Sequence, residues 1–264
     1  VIRAVDLHAD ILRASIASAA NDHRLGANEA PPAIMSIYLG KMLSGILDQI
    51  ESDSPNEAYK EGTLNLGAET MPCVDKHSDD RNRTSPFAFT GNKFEFRAVG
   101  STSTIAWPNT ILNTIIAESL DYFATSLEST LAGSESEEQK DSAARALLRD
   151  VLSKHRKVVF NGDNYSSEWH KEAERRGLPN LKTAVDAFPS LKTERALDLF
   201  ERYNVLSNRE LTARSEVLLE NYYKIVQIEA RTLLMMLSTK VLPAALRYQG
   251  ELASIVQSSH AVSV

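Results

Sequence analysis

An alternating stretch near the middle of the chain constrains the fold more than any other. Residues 93–97 read Lys-Phe-Glu-Phe-Arg, and a period of two is typical of a strand with one face on a core. Residues 87–89, Phe-Ala-Phe, alternate in the same way. Gly91-Asn92 between the two runs is a two-residue turn signal. The sequence therefore predicts a β-hairpin with one apolar face and one charged face.

The charged face carries groups suited to phosphate chemistry. Lys93 and Arg97 flank Glu95, and flanking cations favour the charged form of a carboxylate. An ionised carboxylate can ligate Mg²⁺ or Mn²⁺, and arginines such as Arg81 and Arg83 bind phosphate and carboxylate oxygens through a forked guanidinium. The combination favours phosphoryl transfer. A solvated strand face with ordinary ion pairs stays an alternative.

Composition narrows the class of protein. The 264 residues are 43% hydrophobic and 24% charged, as in a soluble globular protein. The net charge of −6 argues against a nucleic-acid-binding surface, which is normally basic. The single cysteine permits no internal disulfide and favours a reducing compartment, so we expect a cytoplasmic location. No apolar run is long enough to span a bilayer, so no membrane contact is expected.

The segment before the hairpin mixes helix, loop and strand. Apolar residues at helical spacing predict a helix from Ile2 to about Ala20. Residues 21–28 read as a polar loop, and the two prolines at 31–32 lead into a short strand at 34–39. Residues 41–79 read as an excursion between this strand and the hairpin, with a helix at its start.

Helices dominate after the hairpin. One is predicted from about Asn109 to Gly133, and the acidic residues 134–138 that follow are the predicted domain boundary. A capping box at Ser207–Glu210 opens the last long helix, which Pro243 should kink or end. Apolar side chains in that helix recur at spacings of four and three, as in a seam against other helices. They are Leu219, Tyr223, Val226, Ala230, Leu233 and Leu237.

Several separated motifs resemble those of glutamine synthetases. The motifs are Arg81-Asn82-Arg83-Thr84, Lys93-Phe94-Glu95-Phe96-Arg97, Trp107-Pro108-Asn109-Thr110 and the segment Asn21–Pro32. The last of these resembles the type III branch of the family in particular. The motifs stand in the family's order, and the resemblance covers nearly the whole chain.

The resemblance implies a fold and a domain organisation. The expected fold is α/β (α+β), with antiparallel strands of a glutamine-synthetase-type catalytic sheet or half-barrel backed by helices and followed by a mainly helical C-terminal region. Residues 1–133 would be the C-terminal part of the catalytic domain, with an insertion at about 41–79. Residues 134–264 would be the helical type III region. Because Val1 already reads as helical, we expect a fragment of a longer chain that lacks the N-terminal part.

The resemblance also assigns roles to residues around a mobile loop and the Arg-Asn-Arg motif. Glu29 resembles the flap glutamate that helps to deprotonate ammonium, since a carboxylate both attracts the cation and accepts its proton. Arg24 resembles the arginine that holds the substrate amino acid. Arg83 resembles the residue that stabilises the transferred phosphoryl group, and Arg81 is a further candidate for the phosphate site.

On the hairpin, Lys93 stands where the family usually carries a nucleotide-phosphate-binding arginine. Glu95 resembles one glutamate ligand of a divalent metal, and Arg97 a contact to glutamate or its acyl phosphate. The family's other metal ligands are expected upstream of residue 1. Ala88 stands where a further family arginine is expected, so the nucleotide contacts should differ from those in other branches.

The implied reaction is ATP-dependent ligation of ammonia to L-glutamate through γ-glutamyl phosphate, giving L-glutamine. It would use Mg²⁺ or Mn²⁺ and proceed in a large homo-oligomer, commonly a dodecamer. This chain alone is expected to be inactive. Two alternatives stay open: a γ-glutamyl-amine ligase of the same family, and a non-catalytic assembly or regulatory paralogue.

Overall fold

The computed structural model describes residues 1–27, 30–52, 63–64, 74–75, 82–132 and 136–262. They form two compact units, Val1–Glu216 and Val217–Val264. Glu137 and Glu138, in the acidic run, already belong to a helix of the first unit. The assignment of residues 1–133 and 134–264 to two family regions stays a prediction.

Helices make up most of the described chain. They are α1 (Ile2–Leu7), α2 (Ala9–Ser15), α3 (Ala19–Arg24), α4 (Gly40–Ser52), α5 (Ala106–Leu131), α6 (Glu137–His155), α7 (Ser167–Arg175), α8 (Ala184–Ala187), α9 (Glu194–Arg202), α10 (Asn208–Met236) and α11 (Leu242–Val262). Short 3-10 helices span Arg156–Val158 and Phe188–Lys192, and a π-helical turn spans Leu237–Val241. The strands are β1 (Ile37–Tyr38), β2 (Thr63–Leu64), β3 (Val74–Asp75), β4 (Phe87–Phe89) and β5 (Phe94–Phe96).

The predicted hairpin is confirmed, but its sheet is mixed. β4 and β5 pair antiparallel, with Phe87 opposite Phe96 and Ala88 opposite Glu95. β1 pairs with β4 in parallel, with Ile37 opposite Phe87. The expectation of antiparallel strands is therefore wrong for β1. Parallel neighbours need a long connection, which the chain between β1 and β4 supplies. The half-barrel stays a prediction, as do the structure and role of most of the insertion at 41–79, which lies largely outside the described residues.

The apolar face of the hairpin is a cluster of phenylalanines. The ring centroid of Phe87 lies 5.5 Å from that of Phe94 and 5.8 Å from that of Phe96. Phe89 lies 5.2 Å from Phe94. Each such pair contributes about 0.5–1.5 kcal/mol beyond its buried area. The rings occupy one face because alternate residues of a strand point the same way, which leaves Lys93, Glu95 and Arg97 for the other.

The predicted helix from Ile2 to Ala20 is wrong, because three short helices occupy this region. The chain breaks at His8 and again after Ser15. Ser18 then starts α3 by accepting a hydrogen bond from the Asn21 backbone N at 3.2 Å. α3 extends to Arg24, so the predicted polar loop is helical at its beginning. Serine favours a cap over a helix interior, which explains the second break, before Ser18.

The later helices follow their sequence signals more closely. Ser207 Oγ accepts from the Glu210 backbone N at 3.3 Å, and the Glu210 carboxylate accepts from the Ser207 backbone N at 2.8 Å. The predicted capping box is therefore confirmed. The regular helix α10 ends at Met236, and a π-helical turn leads into α11, which contains Pro243. The helical pattern is therefore interrupted just before the proline.

The second unit exposes the predicted apolar seam. Tyr223 and Leu233 are 61% and 58% exposed, and Leu219, Val226 and Leu237 are also exposed. Apolar side chains on one face of a helix add stability only when another surface covers them. The described residues of this unit provide no such surface. None of the helices in the described ranges is both long and apolar enough to cross a membrane.

Candidate functional site

A cleft of about 500 Å³ lies along the charged side of the hairpin. One wall is the junction between β1 and α4, including Leu39 and Gly40. The charged residues that line the cleft are Arg83, Lys93, Glu95 and Arg97. The structure therefore brings together four of the seven site residues predicted from the sequence.

Glu95 is the centre of the charges in this cleft. Its Oε2 accepts hydrogen bonds from Arg97 Nε at 3.2 Å and Nη2 at 3.1 Å. Its Oε1 lies 3.7 Å from Lys93 Nζ. The side chains of Glu95 and Arg97 are 40% and 27% exposed, so both still face solvent. The arrangement presents two cations and one anion to an incoming phosphate or carboxylate.

Arg83 lies on a turn that Asn82 organises. The Asn82 Oδ1 accepts from the Thr84 backbone N at 2.9 Å, from Thr84 Oγ1 at 2.9 Å and from the Ser85 backbone N at 3.0 Å. Arg97 Nη1 donates to the Asn82 carbonyl. Within the part of the chain that the structure describes, the exposed Arg83 guanidinium makes no hydrogen bond or ion pair, so it is available to a ligand in the cleft.

Arg24 ties the end of α3 to the strand that carries Arg97. Its Nη2 donates to the Arg97 carbonyl at 3.2 Å, and its Nη1 donates to the Ala98 carbonyl at 3.2 Å. Nη1 also donates to Asn21 Oδ1 at 3.1 Å. The guanidinium is thus occupied by the protein itself. The predicted contact between Arg24 and a substrate amino acid stays a prediction.

Asn21 is an organising residue that the sequence did not single out. It is 1% exposed, and its Nδ2 donates to the Ile16 carbonyl at 2.8 Å and the Ala98 carbonyl at 2.9 Å. A Cβ on Gly100 would lie 3.4 Å from Asn21 Oδ1. The position of Asn21 in a polar run did not indicate this role, because asparagine is common in loops and turns.

Glu29 and Arg81, the other two predicted site residues, lie outside the described residues. The chain on both sides of Glu29 is described. Gly26, at a φ of +75°, donates its backbone N–H to the Pro31 carbonyl at 2.9 Å. This hydrogen bond joins two described residues on either side of Glu29. Glycine suits that position because it alone adopts positive φ without strain.

The residues present do not by themselves make a metal site. No group of three or more His, Cys, Asp or Glu side chains able to hold a metal ion occurs among the residues described. Glu95, the predicted metal ligand, already accepts hydrogen bonds from Arg97. Divalent Mg²⁺ usually takes several oxygen ligands, and one paired carboxylate does not supply them.

Comparison with known proteins decides the family. Residues 143–260 match the model of the glutamine synthetase C-terminal domain. Over 258 residues, 98% of this chain, the sequence is 46% identical to the type-3 glutamine synthetase of Dictyostelium discoideum. This chain belongs to the glutamine synthetase family. It is also 40% identical to the glutamine synthetases of Butyrivibrio fibrisolvens and Bacteroides fragilis (strain YCH46), over 97% and 96% of its length.

The type III resemblance inferred from the sequence motifs is thus confirmed. The chain spans 35% of the Dictyostelium protein and 36% and 35% of the two bacterial glutamine synthetases. The matched segment 143–260 covers the helical C-terminal part of the chain, whereas the cleft residues named above precede it. Both parts fall within the alignment to the Dictyostelium protein, which covers nearly the whole chain.

Proposed function

We propose that this chain is part of a longer protein that ligates ammonia to L-glutamate, using ATP, to give L-glutamine. Membership of the glutamine synthetase family supports the proposal. The observation that carries it is that Arg83, Lys93, Glu95 and Arg97 line one cleft, with Arg24 donating to the Arg97 carbonyl. A scaffold protein has no need for a cleft lined by three cations and one carboxylate.

The chemistry needs an activated carboxylate. A carboxylate oxygen is a poor leaving group, and phosphorylation by ATP converts it into a good one. The free guanidinium of Arg83 would neutralise charge on the transferred phosphoryl group, and Lys93 would add a second cation on the nucleotide side. Positioning and charge neutralisation of this kind supply most of the catalysis in phosphoryl transfer.

Ammonia must then attack as the neutral base. In the proposed mechanism, Glu29 accepts a proton from ammonium and leaves ammonia to displace phosphate from γ-glutamyl phosphate. Arg97 would hold the glutamate carboxylate or its acyl phosphate, since a guanidinium matches both. Arg24, five residues before Glu29, would help to hold the segment that follows it, since its guanidinium donates to the carbonyls of Arg97 and Ala98.

Glu95 is the one residue of this chain that we assign as a ligand of a bound Mg²⁺ or Mn²⁺ ion. Its further ligands would have to come from residues outside this chain. A homo-oligomer, a dodecamer by family resemblance, and a cytoplasmic location also belong to the proposal.

The proposal is tested by expressing the full-length protein and measuring product formation with ATP and glutamate. We expect L-glutamine to form with ammonium, and little γ-glutamyl-amide to form with methylamine or a polyamine at the same concentration. Residues 1–264 alone serve as a control and should be inactive. Preferential use of the amines would assign a γ-glutamyl-amine ligase, and no ATP-dependent product with any amine would favour a non-catalytic paralogue.

A further inference from the structure

A loop of the C-terminal region, residues 161–164, holds two walls of the cleft. The loop reads Asn-Gly-Asp-Asn and lies within the segment that matches the C-terminal domain model. Its Asn161 Oδ1 accepts hydrogen bonds from the backbone N–H of Leu39 at 3.0 Å and of Gly40 at 3.2 Å. Both of these residues line the cleft. Asn161 Nδ2 donates to Ser44 Oγ at 2.8 Å, which fixes the amide orientation.

The other end of the loop holds the turn that carries Arg83. Asn164 is fully buried, and its backbone N donates to Thr84 Oγ1 at 2.9 Å. Thr84 Oγ1 in turn donates to Asn82 Oδ1. Asn82 Nδ2 donates back to the Gly162 carbonyl at 3.0 Å. A closed ring of hydrogen bonds therefore connects the loop with the residues on both sides of Arg83.

Contacts with neighbouring segments fix the position of residues 161–164. Asn164 Oδ1 accepts from Ser36 Oγ at 2.6 Å, next to β1. The ring of Phe160 stacks on the buried Trp169 with centroids 3.9 Å apart. A Cβ on Gly162 would lie 2.6 Å from the Phe160 ring, so glycine is needed for the loop to pass this close. Asn164 is the buried member of this network, and a buried polar group whose hydrogen bonds are satisfied is held rigidly.

We infer that residues 161–164 are a positioning element of the cleft: Asn161 sets the Leu39–Gly40 wall, and Asn164, through Thr84, sets the turn of Arg83. The inference rests on the proposed function and extends it, because it gives the C-terminal region a part in catalysis. Arg83 has no described partner that would hold its side chain, so the geometry of its backbone turn decides where the guanidinium reaches. A small displacement of a positioned group lowers the rate steeply.

The test uses the full-length protein with four substitutions and one double variant. Thr84→Val removes the hydroxyl and keeps the shape, and Thr84→Ser restores it. Thr130→Val is the matched control, since Thr130 is an exposed threonine near the end of α5. We expect Thr84→Val to lower kcat for glutamine formation by on the order of 10²-fold, with the KM for ammonium unchanged. Thr84→Ser and Thr130→Val should retain the wild-type kcat.

A double-mutant cycle separates positioning from general damage. If Thr84 acts through Arg83, then Arg83→Ala combined with Thr84→Val should be no slower than Arg83→Ala alone. Losses that multiply would overturn the inference. So would a wild-type kcat in Thr84→Val, or an equal loss in Thr130→Val.

A readout without catalysis distinguishes this inference from the proposed function. In Thr84→Val the backbone N–H of Asn164 loses its acceptor, so its hydrogen exchange should be faster than in wild type, while Thr84→Ser and Thr130→Val should not change it. A wild-type protein that forms no glutamine rejects the proposed function. An Asn164 amide that exchanges at the wild-type rate in Thr84→Val overturns the positioning link, whatever the activity.

Discussion

The guanidinium of Arg24 is hydrogen-bonded to the backbone of Arg97, with Nη2 of Arg24 donating to the Arg97 carbonyl at 3.2 Å. Arg24 ends α3 and opens the loop that contains Glu29. Arg97 follows β5 and pairs with Glu95 in the cleft. This hydrogen bond joins two segments that are more than seventy residues apart in sequence.

Removing the Arg24 side chain should increase the mobility of the segment that follows α3. In the full-length protein we expect Arg24→Ala to increase hydrogen exchange in residues 25–31 and to lower kcat for glutamine formation. Arg145→Ala, which removes an exposed arginine from α6, should do neither. An Arg24→Ala protein with a higher KM for glutamate but unchanged exchange would instead support the substrate contact implied by the family resemblance.

Arg83 should matter for rate and not for stability. Arg83 is exposed, and its guanidinium makes no hydrogen bond or ion pair with the described residues. We expect Arg83→Ala to lower kcat by on the order of 10³-fold, as for other arginines that stabilise a transferred phosphoryl group. The free energy of unfolding should change by less than about 0.5 kcal/mol. A rate within tenfold of wild type, measured at saturating ATP, would remove Arg83 from the mechanism.

Arg13 should be a stability residue. It is 1% exposed, lies 3.2 Å from Asp22 Oδ1 and donates to the carbonyls of Leu181 and Lys182. Asp22 Oδ2 also accepts from the Ala184 backbone N at 2.7 Å. Arg13→Met leaves a carboxylate without its cation and should lower the free energy of unfolding by about 3–5 kcal/mol. Urea unfolding measures this, with Arg145→Met as the exposed control; equal midpoints for the two variants would contradict it.

His8 should make the protein less stable in mild acid. Burial lowers the pKa of His8, and the nearby Arg195 adds to the effect, although Glu118 at 3.6 Å opposes it. A lowered folded-state pKa means that protonation favours the unfolded chain. The stabilisation is therefore complete above about pH 6.5, the ordinary histidine pKa, and is lost as the pH falls through the lowered value.

The measurement is urea unfolding of wild type and His8→Gln between pH 5 and pH 7. His8 adds up to about 1.4 kcal/mol per pH unit to the slope of stability against pH, so the wild-type slope should be the steeper. His260→Gln, in the exposed part of α11, should keep the wild-type slope. Parallel slopes for wild type and His8→Gln would show that His8 is not responsible.

Local patterns predicted the local structure. The hairpin, the capping box at Ser207 and the meeting of Lys93, Glu95 and Arg97 on one side follow from alternation and cap preferences within a few residues. The parallel pairing of β1 did not follow, because it depends on a partner some fifty residues away. A strand as short as Ile37–Tyr38 has little periodicity to read.

The residues that position the site were harder to predict from the sequence than its charged residues. Asn21, Asn82 and Asn164 each stand in polar runs typical of turns, and their roles come from hydrogen bonds to distant segments. Sequence spacing cannot reveal such contacts. The roles assigned to Glu29 and Arg81 depend on the family resemblance alone and stay predictions.

In the proposed reaction the glutamate carboxylate is phosphorylated before ammonia attacks. The full-length protein can be supplied with ATP, ammonium and L-glutamate labelled with ¹⁸O in its γ-carboxylate, and the inorganic phosphate analysed by mass spectrometry. If ammonia displaces phosphate from γ-glutamyl phosphate, one ¹⁸O atom should be transferred to phosphate for each glutamine formed. Glutamine formed with unlabelled phosphate would exclude γ-glutamyl phosphate as the intermediate.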